Sequence, residues 1–199
     1  EDTGQGVVLT LADGRTFQGD ALIGADGVHS RVRQALFGVD EVQFSGMVAW
    51  RGLIPMEEMP EHMQVSVGST WIGPGGHAVC YPLHRSKIMN FVATIEGKTW
   101  DVAEGATPGT TEECLNDFAG WHEDVQTLIR RSPRLIKWAL MQRDPIPRWT
   151  QGRISLLGDA AHATLPFLAQ GAVHSIEDGM VLSRCLEGVS ESDVPAALA

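Results

Sequence analysis

One stretch, residues 152–186, constrains this chain more than any other: GRISLLGDAAHATLPFLAQGAVHSIEDGMVLSRCL. Its run 154–157 is apolar and short enough to be a buried strand. Gly158 and Asp159 then break the strand, placing a carboxylate where it can accept hydrogen bonds from the hydroxyls of a sugar or sugar alcohol. A loop with Pro166 follows, and after Gln170 and Gly171 a helical pattern begins, with Val173, Ile176 and Val181 roughly on one face. Such a strand–loop–helix aims the unpaired N–H groups of a helix start, and the positive end of its dipole, at whatever lies beyond the strand. That end stabilises an anion, and Gly171 lets a ligand approach the backbone closely. The same pattern also suits an ordinary crossover of an α/β domain, because fold alone does not specify a site.

A second stretch breaks the tie. Residues 21–33, ALIGADGVHSRVR, read as a strand, an Asp-Gly turn at Asp26 and Gly27, and a helix opened by Ser30. GADGVHSRVR resembles the "DG" fingerprint of the class A flavoprotein aromatic hydroxylases, the family of salicylate hydroxylase, the hydroxybenzoate hydroxylases and 6-hydroxynicotinate 3-monooxygenase. LLGDAAHATLPFLAQGA resembles that family's "GD" fingerprint and flavin-ring loop. Between them VAWRGLIP (48–55), GPGGHAVCYPL (73–83) and NFVA (90–93) are similar to its salicylate-hydroxylase-like branch, in the same order.

The resemblance implies an α/β (α+β) chain: a partial Rossmann-like FAD-binding domain with an inserted antiparallel-sheet substrate domain. The expected parts are 1–41 and 149–199 for the flavin and 42–148 for the substrate. No G-x-G-x-x-G occurs, and Gly4 and Gly6 are followed by strand residues. In the family that glycine-rich unit holds the ADP half of FAD. The chain is therefore expected to be an internal portion of a longer monooxygenase.

Composition narrows the partners. Lys+Arg 15 against Asp+Glu 25 gives a net charge of −10, which argues against non-specific binding to nucleic acid or anionic membrane. With 43% hydrophobic and 20% charged residues the chain can build a core. Cys80, Cys114 and Cys185 are odd in number and widely spaced, so a reduced, cytoplasmic setting is expected. No secretory signal pattern or apolar run of membrane-spanning length appears. His77, Cys80 and His84 are close in sequence, but on a strand His77 and Cys80 face opposite sides, so no metal site is expected.

Along the chain, residues 7–11 and 15–17 flank Asp13-Gly14, a hairpin signal. From 42 to 96 the pattern reads as strands at 42–54, 63–72, 77–83 and 87–95, which successive short turns make antiparallel. Helices are expected at about 111–119 and 123–131, with a short one near 133–138. Residues 144–147, Asp-Pro-Ile-Pro, read as extended chain.

Site residues follow from the family likeness. Asp159 is the expected ligand of the ribityl chain, with Gly158 forming its turn, and Pro166 packs by the isoalloxazine ring. Gln170 leads into the helix start, where the N–H groups of Gly171 and Ala172 meet the flavin edge on which reduction places negative charge. Asp26 is either a turn residue or a support for the pyrophosphate and ribityl region. His77 and Tyr81, four apart on a strand, share a face. In the similar enzymes a His and a Tyr at this spacing face the aromatic substrate; packing within the sheet is the alternative. His77 is the candidate base for a phenolic proton, Tyr81 the candidate orienting group. Arg51 and Arg85 are candidate carboxylate partners. The family's chemistry uses NAD(P)H, O2 and a flavin C4a-hydroperoxide to hydroxylate a small aromatic acid. Two other readings remain at this stage: a non-catalytic remnant unable to hold FAD, and a flavin enzyme acting on a non-aromatic compound. A hydrolase is disfavoured by the absence of G-x-S-x-G.

Overall fold

The computed structural model describes residues 1–39, 42–97, 99–100 and 105–199. Strands β1 (Val7–Thr10), β2 (Thr16–Gly19) and β3 (Leu22–Gly24) precede helix α1 (Arg31–Phe37). Then come β4 (Gln43–Pro55), β5 (Ser69–Gly73), β6 (Gly76–Leu83), β7 (Ile88–Glu96), β8 (Thr107–Gly109), α2 (Thr111–Asp117), α3 (Glu123–Arg131) and β9 (Leu135–Gln142). The chain ends with β10 (Thr150–Gln151), β11 (Ile154–Leu156), α4 (Asp159–His162), α5 (Gly171–Leu186) and α6 (Val194–Leu198). These elements fall into two compact units, 1–43 with 141–199, and 44–140.

In the first unit β11 lies parallel to β3, pairing Ile154 with Leu22 and Leu156 with Gly24, while β10 runs antiparallel on its other side. Parallel pairing of segments so distant in sequence needs an apolar reason, and Leu156, Ala160 and Ala161 supply it by packing with Val32, Leu36, Phe37 and Ile146. Helix α1 starts where predicted, its Ser30 hydroxyl accepting the Arg33 N–H at 2.9 Å. Helix α5 begins at Gly171. Its expected apolar face is not buried: Val173, Ile176 and Val181 are 41%, 72% and 60% exposed.

The second unit is built on a six-stranded sheet in the order β5-β6-β7-β4-β9-β8. Trp50 and Ile54 of β4, Ala78 and Cys80 of β6, and Met89, Phe91 and Ala93 of β7 share one face. Val125, Leu128 and Ile129 of α3 recur at helical spacing and cover that face together with Cys114 and Phe118. Burying the three α3 side chains contributes about 6 kcal/mol as an upper bound. Gly52 makes the close approach possible, since a Cβ there would collide with the Ser132 hydroxyl.

Two sequence expectations fail in this unit. Residues 133–138 are not a helix; β9 begins at Leu135 and lies between β4 and β8 in the sheet. Ladder pairing with distant strands outweighs a weak local preference. Nor is 63–72 one strand. A 3₁₀ turn, Glu61–Met63, buries Met63 in the core, and regular pairing resumes only at Ser69.

Candidate functional site

The turn after β11 needs a glycine. Gly158 has φ 63 and ψ −141, a conformation essentially closed to other residues, and a Cβ there would lie 2.7 Å from the Ser175 hydroxyl of α5. This turn presents Asp159 at the head of α4. Asp159 is exposed and makes no hydrogen bond or ion pair to a described residue. Across from it, α5 opens after Gln170, whose side chain caps nothing and instead donates to the Leu168 carbonyl at 3.1 Å. The first-turn N–H groups of α5 are therefore available to a ligand.

Asp159, Pro166, Gly171 and Ala172 line one cavity of about 440 Å³ together with Thr164, Ala169 and Ser175. The Asp159 Oδ1 would be 3.9 Å from a Cβ on Gly171, so carboxylate and helix start are neighbours. Ala169 holds a left-handed φ of 52 at the end of the Pro166–Leu168 turn, which brings the chain round into α5. Gly158 and Gln170 shape this cavity without lining it. An acceptor for hydroxyls beside a row of uncapped N–H donors suits a polyhydroxyl chain ending in an electron-accepting ring. The residues present fit FAD on this count.

The Asp26 carboxylate is already committed. It accepts from the Ser30 hydroxyl, from the Arg31 N–H at 2.7 Å and from the Val32 N–H at 3.2 Å. Burial alone would raise its pKa, but these hydrogen bonds outweigh that and hold it below the usual aspartate value. Asp26 thus anchors the start of α1 and fixes the turn at Gly27.

Sequence reasoning missed two supports of this site. Arg33 is 1% exposed and its guanidinium donates to the carbonyls of Ala160 at 3.3 Å, Ala161 at 2.9 Å and Asp144 at 3.1 Å. It ties the helix of one fingerprint to the helix of the other. Asp178 of α5 accepts the Gly158 N–H at 2.9 Å, and its Oδ2 lies 2.6 Å from the His162 Nε2. It clamps the turn that presents Asp159. Only the glycine at 158 hinted at it, because a left-handed turn exposes an N–H that needs a partner.

The second unit presents a different array on the sheet face opposite α2 and α3. The register sets Ala49, Thr94 and His77 on one rung, Arg51, Val92 and Val79 on the next, and Leu53, Asn90 and Tyr81 on a third. His77 and Tyr81 do share this face. The His77 Nδ1 lies 2.9 Å from the buried Thr94 hydroxyl, and burial lowers its pKa. Tyr81 is 41% exposed. Arg51 belongs to the same face, whereas Arg85 sits in the β6–β7 turn with a left-handed φ of 57. Among the described residues no group of His, Cys, Asp and Glu is placed to hold a metal. No helix among them is long and apolar enough to cross a membrane.

Comparison with known proteins decides the family. The FAD binding domain family matches residues 1–197. The chain belongs to the FAD binding domain family. The 3-amino-4-hydroxybenzoate 2-monooxygenase of Streptomyces platensis is 39% identical over 198 residues, covering 100% of this chain and 50% of that protein. The 6-hydroxynicotinate 3-monooxygenase of Pseudomonas fluorescens is 37% identical over 201 residues, covering 100% of this chain and 52% of its own length. A salicylate hydroxylase solved as a substrate complex matches with a TM-score of 0.87 and 32% identity, over 100% of this chain and 53% of that one. The chain thus spans about half the length of the relatives it matches. The mixed α/β architecture of this FAD-binding chain agrees with its sequence, and its cofactor class is FAD.

Proposed function

We propose that this chain is the flavin-ring and substrate portion of a monooxygenase that hydroxylates a phenolic aromatic acid with NAD(P)H and O2. One observation carries the flavin half: an uncommitted Asp159 carboxylate faces the uncapped start of α5 in a single cavity. There Asp159 accepts hydrogen bonds from the ribityl hydroxyls, Pro166 packs by the ring, and the N–H groups of Gly171 and Ala172 hold its electron-accepting edge. FAD, when bound, supplies the electron transfer and oxygen activation that no side chain can.

The protein's own part is to hold the substrate and move one proton. His77 takes the phenolic proton at Nε2 when its Nδ1–H donates to the Thr94 hydroxyl, the tautomer that leaves the lone pair on Nε2. Its burial keeps it neutral, ready to accept, at pH values where an exposed imidazole begins to charge. Tyr81 orients the ring from the other end of the same strand. Removing the phenolic proton makes the ring electron-rich, which the incoming oxygen requires. Asp159→Ala is expected to weaken FAD binding at least tenfold, the worth of about one charge-assisted hydrogen bond. Flavin-fluorescence titration measures it; an unchanged Kd would remove Asp159 from the site.

A further inference from the structure

Asn90 is the anomaly of the second unit. It is 0% exposed, its Oδ1 accepts the Arg51 Nε–H at 3.1 Å, and its Nδ2 has no hydrogen-bond partner among the described residues. A buried amide with an unspent donor is costly for a purely structural residue. A hydrophobic residue would serve a sheet face better.

Resting on the reading of this face as an aromatic-acid site, we propose that Asn90 is a positioning residue. It aims the Arg51 guanidinium at the substrate's carboxylate, and so selects an acid group meta or para to the phenolic hydroxyl rather than ortho.

The register carries the argument. Arg51 leans onto the Asn90 rung, so the cationic end lies toward that rung while His77 and Thr94 stand two rungs away. Four residues along a strand span about 13 Å. Allowing about 2.8 Å for a hydrogen bond at each end leaves roughly 7 Å for the ligand. That is the span of a benzene ring bearing oxygens at opposite ends. Ortho oxygens lie within a hydrogen bond of each other and cannot reach both groups.

Between the two ends the floor is apolar, Val79 beside Val92, as a ring face requires. Charge sets the direction. Glu96 stands one rung beyond Thr94 on the same face, so an anion is repelled from the His77 end and drawn to Arg51. With its Nε engaged by Asn90, the guanidinium keeps its terminal N–H groups for a carboxylate.

Tyr81 is the chain's only tyrosine, so 3-fluorotyrosine labelling puts one ¹⁹F resonance on this face. Its shift gives Kd for 4-hydroxybenzoate, 3-hydroxybenzoate, salicylate and the uncharged 4-hydroxybenzamide, with the 199-residue chain in each case. Wild type should bind the meta and para acids at least tenfold more tightly than salicylate. Asn90→Ala should weaken the acids about tenfold and leave 4-hydroxybenzamide unchanged. Asn90→Asp, which keeps the shape but neutralises Arg51, should also abolish the preference for acid over amide.

Salicylate binding as tightly as 4-hydroxybenzoate would overturn the spacing while leaving the aromatic-acid reading intact. Equal loss of acid and amide in both variants would show Asn90 to be structural and overturn its positioning role. Silence of the resonance toward all four compounds would reject the aromatic-acid reading, and this inference with it.

Discussion

Replacing Arg33 by methionine separates the scaffold of the flavin site from its contacts. Among the described residues the guanidinium donates to two carbonyls of α4 and to the Asp144 carbonyl. A hydrogen bond with a charged partner contributes about 1.5–3 kcal/mol, and neighbouring bonds are not fully additive, so the loss is about 4 kcal/mol. Methionine keeps the volume but leaves three carbonyls without this donor. Set against a total stability of about 5–15 kcal/mol, that is a large share. For a unit of this size each kcal/mol moves the melting temperature by about 4–8 °C. The midpoint should therefore fall by more than about 15 °C. Arg33→Lys keeps the charge but cannot fork to three acceptors, and should lose about half as much. Circular dichroism melts provide the readout, and flavin-fluorescence titration below the transition gives FAD affinity. Affinity should also fall, because two of the carbonyls that Arg33 holds belong to the helix presenting Asp159. A midpoint for Arg33→Met within about 3 °C of wild type, with FAD binding unaltered, would refute the claim that this side chain joins the two fingerprints.

Two further predictions concern single residues. Gly158→Ala forces a Cβ onto a left-handed turn and against Ser175, and should cost about 1–3 kcal/mol from the backbone alone. Adding Ser175→Gly removes the contact but not the strain, so chemical denaturation should show only partial recovery; full recovery would place the whole penalty in packing. For His77, burial depresses the native pKa below the unfolded value of about 6.5. Between those two values the unfolded chain binds more protons, so stability rises with pH there. His77 therefore favours the native state above about pH 6.5 and loses that contribution as pH falls through its native pKa. His77→Gln should show a shallower stability loss than wild type between about pH 7 and pH 5. Parallel curves would place the imidazole in solvent.

What could be read in advance was local. The Gly158 turn, the Ser30 cap and the start of α5 at Gly171 are each written in a few adjacent residues, and the structure has them where the sequence placed them. Three of the misses were matters of distant partners. Residues 133–138 become strand because β4 and β8 flank them in the sheet. Asp178 matters because Gly158 lies across from it, and Arg33 because its acceptor Ala161 is 128 positions away. Periodicity cannot report such pairings; it reports only which face a residue occupies.

That limit is also why His77 and Tyr81 could be paired from sequence while Asn90 could not. A spacing of four on one strand settles a shared face. The relation of Asn90 to Arg51 depends on the register between β4 and β7, which no single segment encodes. Once the register is known, the polar residues of this face cease to be independent. Thr94 holds His77 and Asn90 holds Arg51, from two rungs of one strand, so β7 sets the distance between imidazole and guanidinium. A strand is a stiff ruler, and a one-residue slip would send both groups to the opposite face together. On the proposed reading, substrate length is specified by the backbone of β7, and changing its tips should alter what each end binds without altering the span.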